Sequence, residues 1–141
     1  MPYKFLENVA IADVCIEVRA KDLNELFEQA GLASTSVMVE LNSLGKKLKK
    51  DIVLEAEDVS KLFLAFLEEI VYIKDTDSLL FSKYKVKIKK DKVYKLKARC
   101  YGEKINPKKQ ILMADLKAVT LHMFEIKKVN GRWFARFVLD I

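Results

Sequence analysis

Glycine, proline, cysteine and histidine are all scarce in this sequence, with four, two, two and one in 141 residues. The four glycines, Gly31, Gly45, Gly102 and Gly131, are too scattered to form a phosphate-cradling loop or a dinucleotide fingerprint. Cys15 and Cys100 stand far apart with no Cys-x-x-Cys spacing, which argues against a zinc site or a redox pair and leaves them as small apolar residues. A single histidine, His122, supplies little general acid–base machinery, and no Ser-His-Asp or Cys-His pattern stands out, so an independent hydrolase is disfavoured. Long apolar runs are missing too. A membrane span needs roughly 18 consecutive apolar residues, and the best stretch, Leu62 to Tyr72, is interrupted by Glu68 and Glu69. At the N-terminus Lys4 is followed by Glu7 and Asp13 where a secretory signal would need an apolar core, so the expected location is the cytoplasm.

What the chain does have is apolar residues, 51%, and charge, 33%. That balance suits one folded domain over residues 1–141, since a chain of this length buries roughly two-thirds of its unfolded surface. The net charge of +6 and pI near 9.2 come mostly from lysine. They favour an anionic partner, although a solvated lysine surface is common without any ligand.

Residues Ala10 to Arg19 alternate, with Ala10, Ala12, Val14, Ile16 and Val18 on one face, and predict a half-buried strand. Asp22 opens a capping-box variant with Glu25, and Leu23, Leu26, Phe27, Ala30, Ala33 and Val37 follow at helical spacing, predicting a helix from about Leu23 to Met38. A turn at Asn42, Ser43 and Gly45 precedes a short strand over Asp51–Glu57. Asp58 or Ser60 caps a second helix carrying Leu62, Phe63, Phe66, Leu67, Ile70 and Val71. Asp75-Thr76-Asp77-Ser78 reads as a turn; its Asp-x-Asp lacks the glycine and distal glutamate of a calcium loop.

Next comes a hairpin with one apolar and one basic face. Tyr84, Val86, Ile88, Tyr94, Leu96 and Ala98 lie on the first, and Lys83, Lys85, Lys87, Lys89, Lys95, Lys97 and Arg99 on the second. Tyr101 to Lys109 reads as a loop broken by Gly102 and Pro107. Asn130-Gly131 is the preferred pair for a two-residue type I′ turn, here between Leu116–Lys128 and Arg132–Ile141. An unbroken ladder from that turn sets Asp140 opposite Leu121 and Ile141 opposite Thr120, and puts Asp140 on the face of Leu121, Val119 and Lys117. Lys117 then lies roughly 13 Å from Asp140 along the strand. The fold class is α+β: two helices packed on an antiparallel or mixed sheet.

Two carboxylates stand out. Asp140 closes an otherwise apolar strand and is followed by the α-carboxylate of Ile141 where the chain ends there, an oxygen cluster of the kind hard divalent cations prefer. Asp13 is embedded in an apolar strand, where an ionised group needs a partner or a metal. On the residues alone, separate solvation or pairing with lysines is the favoured explanation of both.

Ala12-Asp13-Val14, Asp75-Thr76 before Leu79-Leu80-Phe81, Ala98 to Glu103, Lys117 to His122 and the closing Val138-Leu139-Asp140-Ile141 resemble, in order and spacing, the archease family across nearly the whole chain. The resemblance implies an accessory protein, not an enzyme, that activates the RNA ligase of tRNA splicing by promoting its guanylylation and repeated turnover. It implies a divalent metal, calcium above others, bound by Asp13, Asp140 and Ile141, with Lys117 and His122 at the activation or partner contact. The family's N-terminal histidine is replaced by Ala10, with Asn8 the alternative two residues earlier. The family is also linked to tRNA and to a tRNA methyltransferase. For such a nucleic-acid role Lys83, Lys85, Lys87, Lys95 and Lys97 are the candidate contacts, with Tyr84 and Tyr94 turned away from them and no stacking platform on the basic face.

Overall fold

The computed structural model describes residues 2–6 and 13–141. The first strand, β1 (Tyr3–Leu6), pairs with β2 (Asp13–Ala20). Helix α1 (Leu23–Met38) follows, capped by Asp22, whose carboxylate accepts the Glu25 backbone N–H at 2.8 Å. Strand β3 (Leu48–Ala56) leads to α2 (Val59–Asp77), capped in the same way by Asp58 through the Lys61 N–H at 2.8 Å. Strands β4 (Leu79–Lys90), β5 (Tyr94–Lys104), β6 (Ala118–Val129) and β7 (Arg132–Asp140) complete the chain.

The strands form two sheets, ordered β1-β2-β7-β6 and β3-β5-β4, and every described pairing is antiparallel. The α+β class is as the sequence implies, with the sheet divided in two. Both helices touch both sheets. A chain of aromatic rings marks the core between the layers. It runs Phe137 to Phe63 (5.6 Å between centroids), Phe63 to Phe27 (5.0 Å), Phe27 to Phe66 (5.4 Å) and Phe66 to Tyr84 (6.0 Å). Rings at these tilted or edge-on separations add to the stabilisation from apolar burial. Helix α1 is buried on more than one stripe, at Phe27, Ala30, Ala33, Ser34 and Val37 among others, as a helix covered from two sides must be.

Two segments differ from their sequence reading. Asp75–Asp77 is the last turn of α2 rather than a loop, and only Ser78 turns, at φ 52°. Lys74 holds that turn. It is buried, ion-paired to Asp75 at 2.6 Å and Asp115 at 2.8 Å, and donates to the Leu116 carbonyl at 2.7 Å. Tyr101–Lys104 continues β5 instead of beginning a loop. There Gly102 serves close approach: a Cβ would overlap the Leu80 carbonyl of β4, beside a bulge at Ser82. Residues 10–12 of the expected first strand lie outside the described residues; the remainder forms β2.

Candidate functional site: an acidic junction and a basic sheet face

Strands β2 and β7 run antiparallel in a register that sets Asp13 directly opposite Asp140. Opposed residues share a face, with Cα atoms typically about 4.5–5.5 Å apart. Next to them on the same face come Cys15 opposite Val138 and Glu17 opposite Arg136, while Val14, Ile16, Leu139 and Phe137 point into the core. Glu17 is neutralised by Lys4 at 3.5 Å, Arg19 at 3.7 Å and Arg136 at 3.6 Å. Asp13 and Asp140 form no ion pair among the described residues, and both are half-buried. Ile141 packs its side chain against the core, which fixes the end of β7 beside the pair.

The type I′ turn is present, with Asn130 at φ 52° and Gly131 at φ 79°, and the expected pairing holds from Val129 with Arg132 to Glu125 with Arg136. Beyond it the ladder slips. Leu121, His122, Met123 and Phe124 bulge out opposite Phe137 alone, with Met123 at φ 57°, and pairing resumes at Thr120 with Val138. The bulge inserts an odd number of extra residues, so it exchanges the faces of everything beyond it. Asp140 therefore lies opposite Ala118, not Leu121, and the face it shares on β6 carries Ala118 and Thr120. The expected common face with Lys117, Val119 and Leu121 is not what the register gives. Lys117 is instead an immediate neighbour, its backbone N–H donating to the Asp140 carbonyl at 2.8 Å and its side chain exposed. His122 is exposed in the bulge, its N–H donating to Thr120 Oγ1 at 3.3 Å.

The second sheet carries the expected basic face, with Lys83, Lys85, Lys87, Lys89, Lys95, Lys97 and Arg99 all exposed. Across its strands lie Lys85 opposite Arg99, Lys87 opposite Lys97 and Lys89 opposite Lys95. Tyr84 is buried, and its hydroxyl shares a 2.8 Å hydrogen bond with Thr35. The sequence reading missed two members, Lys49 and Tyr101, which face one another across β3 and β5. The Lys83 ammonium stands 5.5 Å from the centre of the Tyr101 ring. The signal for Tyr101 was the period-2 alternation continuing past Cys100, hidden by reading Gly102 as a breaker.

Residues 3–141 match the sequence profile of the archease protein family (MTH1598/TM1083). The chain belongs to the archease family. It is 41% identical to the archease of Pyrococcus abyssi over 132 residues, which is 92% of this chain and 93% of that one. The Pyrococcus furiosus archease is 40% identical over the same shares. The fold is similar to the solution structure of Methanobacterium thermoautotrophicum protein 1598, with a TM-score of 0.86 at 34% identity and 99% of each chain covered. An archease from Thermotoga maritima, described as a possible chaperone, has a TM-score of 0.61 at 15% identity over 94% of this chain and 93% of that one, a likeness of fold alone.

Ala10, where the archease pattern was expected to lack its histidine, and the alternative position Asn8 lie outside the described residues. Both cysteines are buried thiols. Burial pushes Cys100 up to about 12; burial also raises Cys15, with Arg136 opposing and Glu17 adding to it. Neither is a ready nucleophile or metal ligand. No group of three or more His, Cys, Asp or Glu side chains is gathered among the described residues. Asp13 and Asp140 thus bring together two side-chain carboxylates among the described residues. No helix among the described residues is long and apolar enough to cross a membrane.

Proposed function

We propose that this protein is a non-catalytic activator of the RNA ligase of tRNA splicing, and that it presents a divalent cation at the junction of β2 and β7. The observation that carries this reading is the direct opposition of Asp13 and Asp140 with no ion-pair partner among the described residues. Like charges opposite one another on neighbouring strands cost roughly 0.2–1 kcal/mol. A cation shared between them reverses the sign of that term. Carboxylate-only side-chain donors suit a hard ion, and calcium accepts the irregular, oxygen-rich coordination such a junction offers.

In this proposal Asp13, Asp140 and the α-carboxylate that Ile141 carries when it ends the chain hold the ion. When bound, the ion supplies positive charge for nucleotide phosphates in the ligase pocket. The chain's own residues position it: the Ile141 side chain anchors the end of β7 on the core, and the Lys117 N–H fixes the Asp140 backbone. Lys117, which follows the register onto the opposite face from Asp140, and His122 in the bulge both expose their side chains and serve in this proposal as partner contacts, not as part of the ion's surroundings.

The test is a guanylylation assay of the cognate ligase with and without this protein. Asp13→Ala and Asp140→Ala, confirmed folded by circular dichroism, are expected to lose the acceleration. A C-terminal extension that converts the Ile141 carboxylate to an amide is expected to weaken calcium binding measured by calorimetry. Full acceleration by both folded variants would remove this reading.

A further inference from the structure

The basic face is an open, nearly single-signed surface. Its four cross-strand ranks are Lys49–Tyr101–Lys83, Asp51–Arg99–Lys85, Val53–Lys97–Lys87 and Glu55–Lys95–Lys89. At about 3.4 Å per residue and 4.8 Å per strand it measures roughly 20 by 10 Å. Eight of the 26 basic residues and two of the 20 acidic ones lie on it, leaving 18 of each sign elsewhere. The whole net charge of +6 therefore belongs to this one face. Both acids lie on β3, so the ribbon of β4 and β5 is purely basic. Asp51 is paired with Arg99 at 3.1 Å, and no lysine of the ribbon forms an ion pair among the described residues.

Three successive like-charge pairs, Lys85–Arg99, Lys87–Lys97 and Lys89–Lys95, oppose strand pairing. They lie within a Debye length of one another, about 8–10 Å, and act on a ligand as one field. Local fold stability does not account for them, and an anionic ligand would neutralise the repulsion. The chemistry of the face selects its class. Lysine is depleted at protein–protein interfaces, where arginine and aromatic residues are enriched, and this face has seven lysines, one arginine and one tyrosine. Only Tyr101, at one end, could stack on a base, so splayed single strands have no platform. We infer that the β3-β5-β4 face binds the sugar–phosphate backbone of a base-paired nucleic acid, without reading its sequence. This site lies on the other sheet from the acidic junction and needs neither metal nor ligase.

The test uses the full chain with a 20-base-pair RNA duplex, followed by fluorescence anisotropy over a salt series with chelator present. Binding is expected at low salt, with log Kobs falling linearly against log salt. Substituting Lys87→Gln, Lys95→Gln and Lys97→Gln together is expected to weaken binding at least about tenfold and to flatten the slope by about 2–3. A control with Lys21→Gln, Lys61→Gln and Lys108→Gln, exposed lysines off this face, is expected to bind like the parent. Because the face variant relieves repulsion, its melting temperature should equal or exceed the parent's, so lost binding would not be lost fold. Three results would each overturn the inference: no saturable duplex binding at low salt, equal loss in the control, or equal affinity for polyglutamate, which would reassign the face to an acidic protein.

Discussion

Gly102 occupies a place that admits no side chain. A Cβ there would overlap the Leu80 carbonyl and crowd the Phe81 Cα, both backbone atoms that cannot rotate away. Gly102→Ala is expected to destabilise the protein by about 3 kcal/mol, the upper range for overpacking, read from the shift in denaturant midpoint at unchanged slope. Its neighbour Glu103 is a buried carboxylate. The Lys109 ammonium at 2.8 Å, the Gly45 N–H at 2.8 Å and the Gln110 amide at 3.0 Å hold it down to about 2. Because the folded value lies below the ordinary glutamate value, the stabilisation is present above the unfolded pKa and is lost as pH falls from about 4.5 through about 2. Glu103→Gln should be less stable than the parent at neutral pH, and its stability should fall less over that window; parallel pH curves would refute this account. Neither role was visible in the sequence. Glycine marks turns and close approaches alike, and a glutamate's partners from distant segments have no local signature.

Elements were legible where local chemistry sets them. Helix α1 begins and ends where its cap and apolar spacing indicate, and the Asn130-Gly131 turn sets the hairpin as far as Glu125 with Arg136. The bulge was missed because Met123 takes a left-handed conformation without glycine or asparagine to announce it. One signal was present: the apolar alternation of Val119, Leu121 and Met123 changes phase at Phe124 and Ile126. The end of α2 was misread for a different reason. Asp, Thr and Ser have turn composition, but the anchoring of Lys74 by Asp75, Asp115 and the Leu116 carbonyl is tertiary. Burial alone would lower the Lys74 pKa, yet the hydrogen bonds its ammonium donates to Asp115 and Asp75 leave it raised. Lys74→Ala leaves both exposed carboxylates to water but strands the Leu116 carbonyl, so the expected cost is about 1–3 kcal/mol. Hydrogen exchange should localise the added opening to the last turn of α2 and residues 105–117; an effect spread evenly over the molecule would argue against the anchor.

At the scale of the whole molecule, charge is distributed by sheet. The β3-β5-β4 sheet concentrates the positive excess, and the β1-β2-β7-β6 sheet brings together, from opposite ends of the chain, the acidic residues the sequence had singled out. That Asp13 and Asp140 would meet could not be deduced from spacing, because nothing local states that β2 and β7 are neighbours; the resemblance to archease pointed there, and the register places them in opposition. If the junction is built for a cation, two opposite effects should appear in one variant. Without metal, Asp13→Asn removes the like-charge opposition and should raise stability by about 0.2–1 kcal/mol. With calcium at about 100 times its dissociation constant, the parent should gain about 2.7 kcal/mol, while the variant gains little. Thermal melts of both proteins with chelator and across a calcium series separate these terms. A variant less stable than the parent in chelator, or one that retains the full calcium shift, would show that the pair is held by something other than a shared cation.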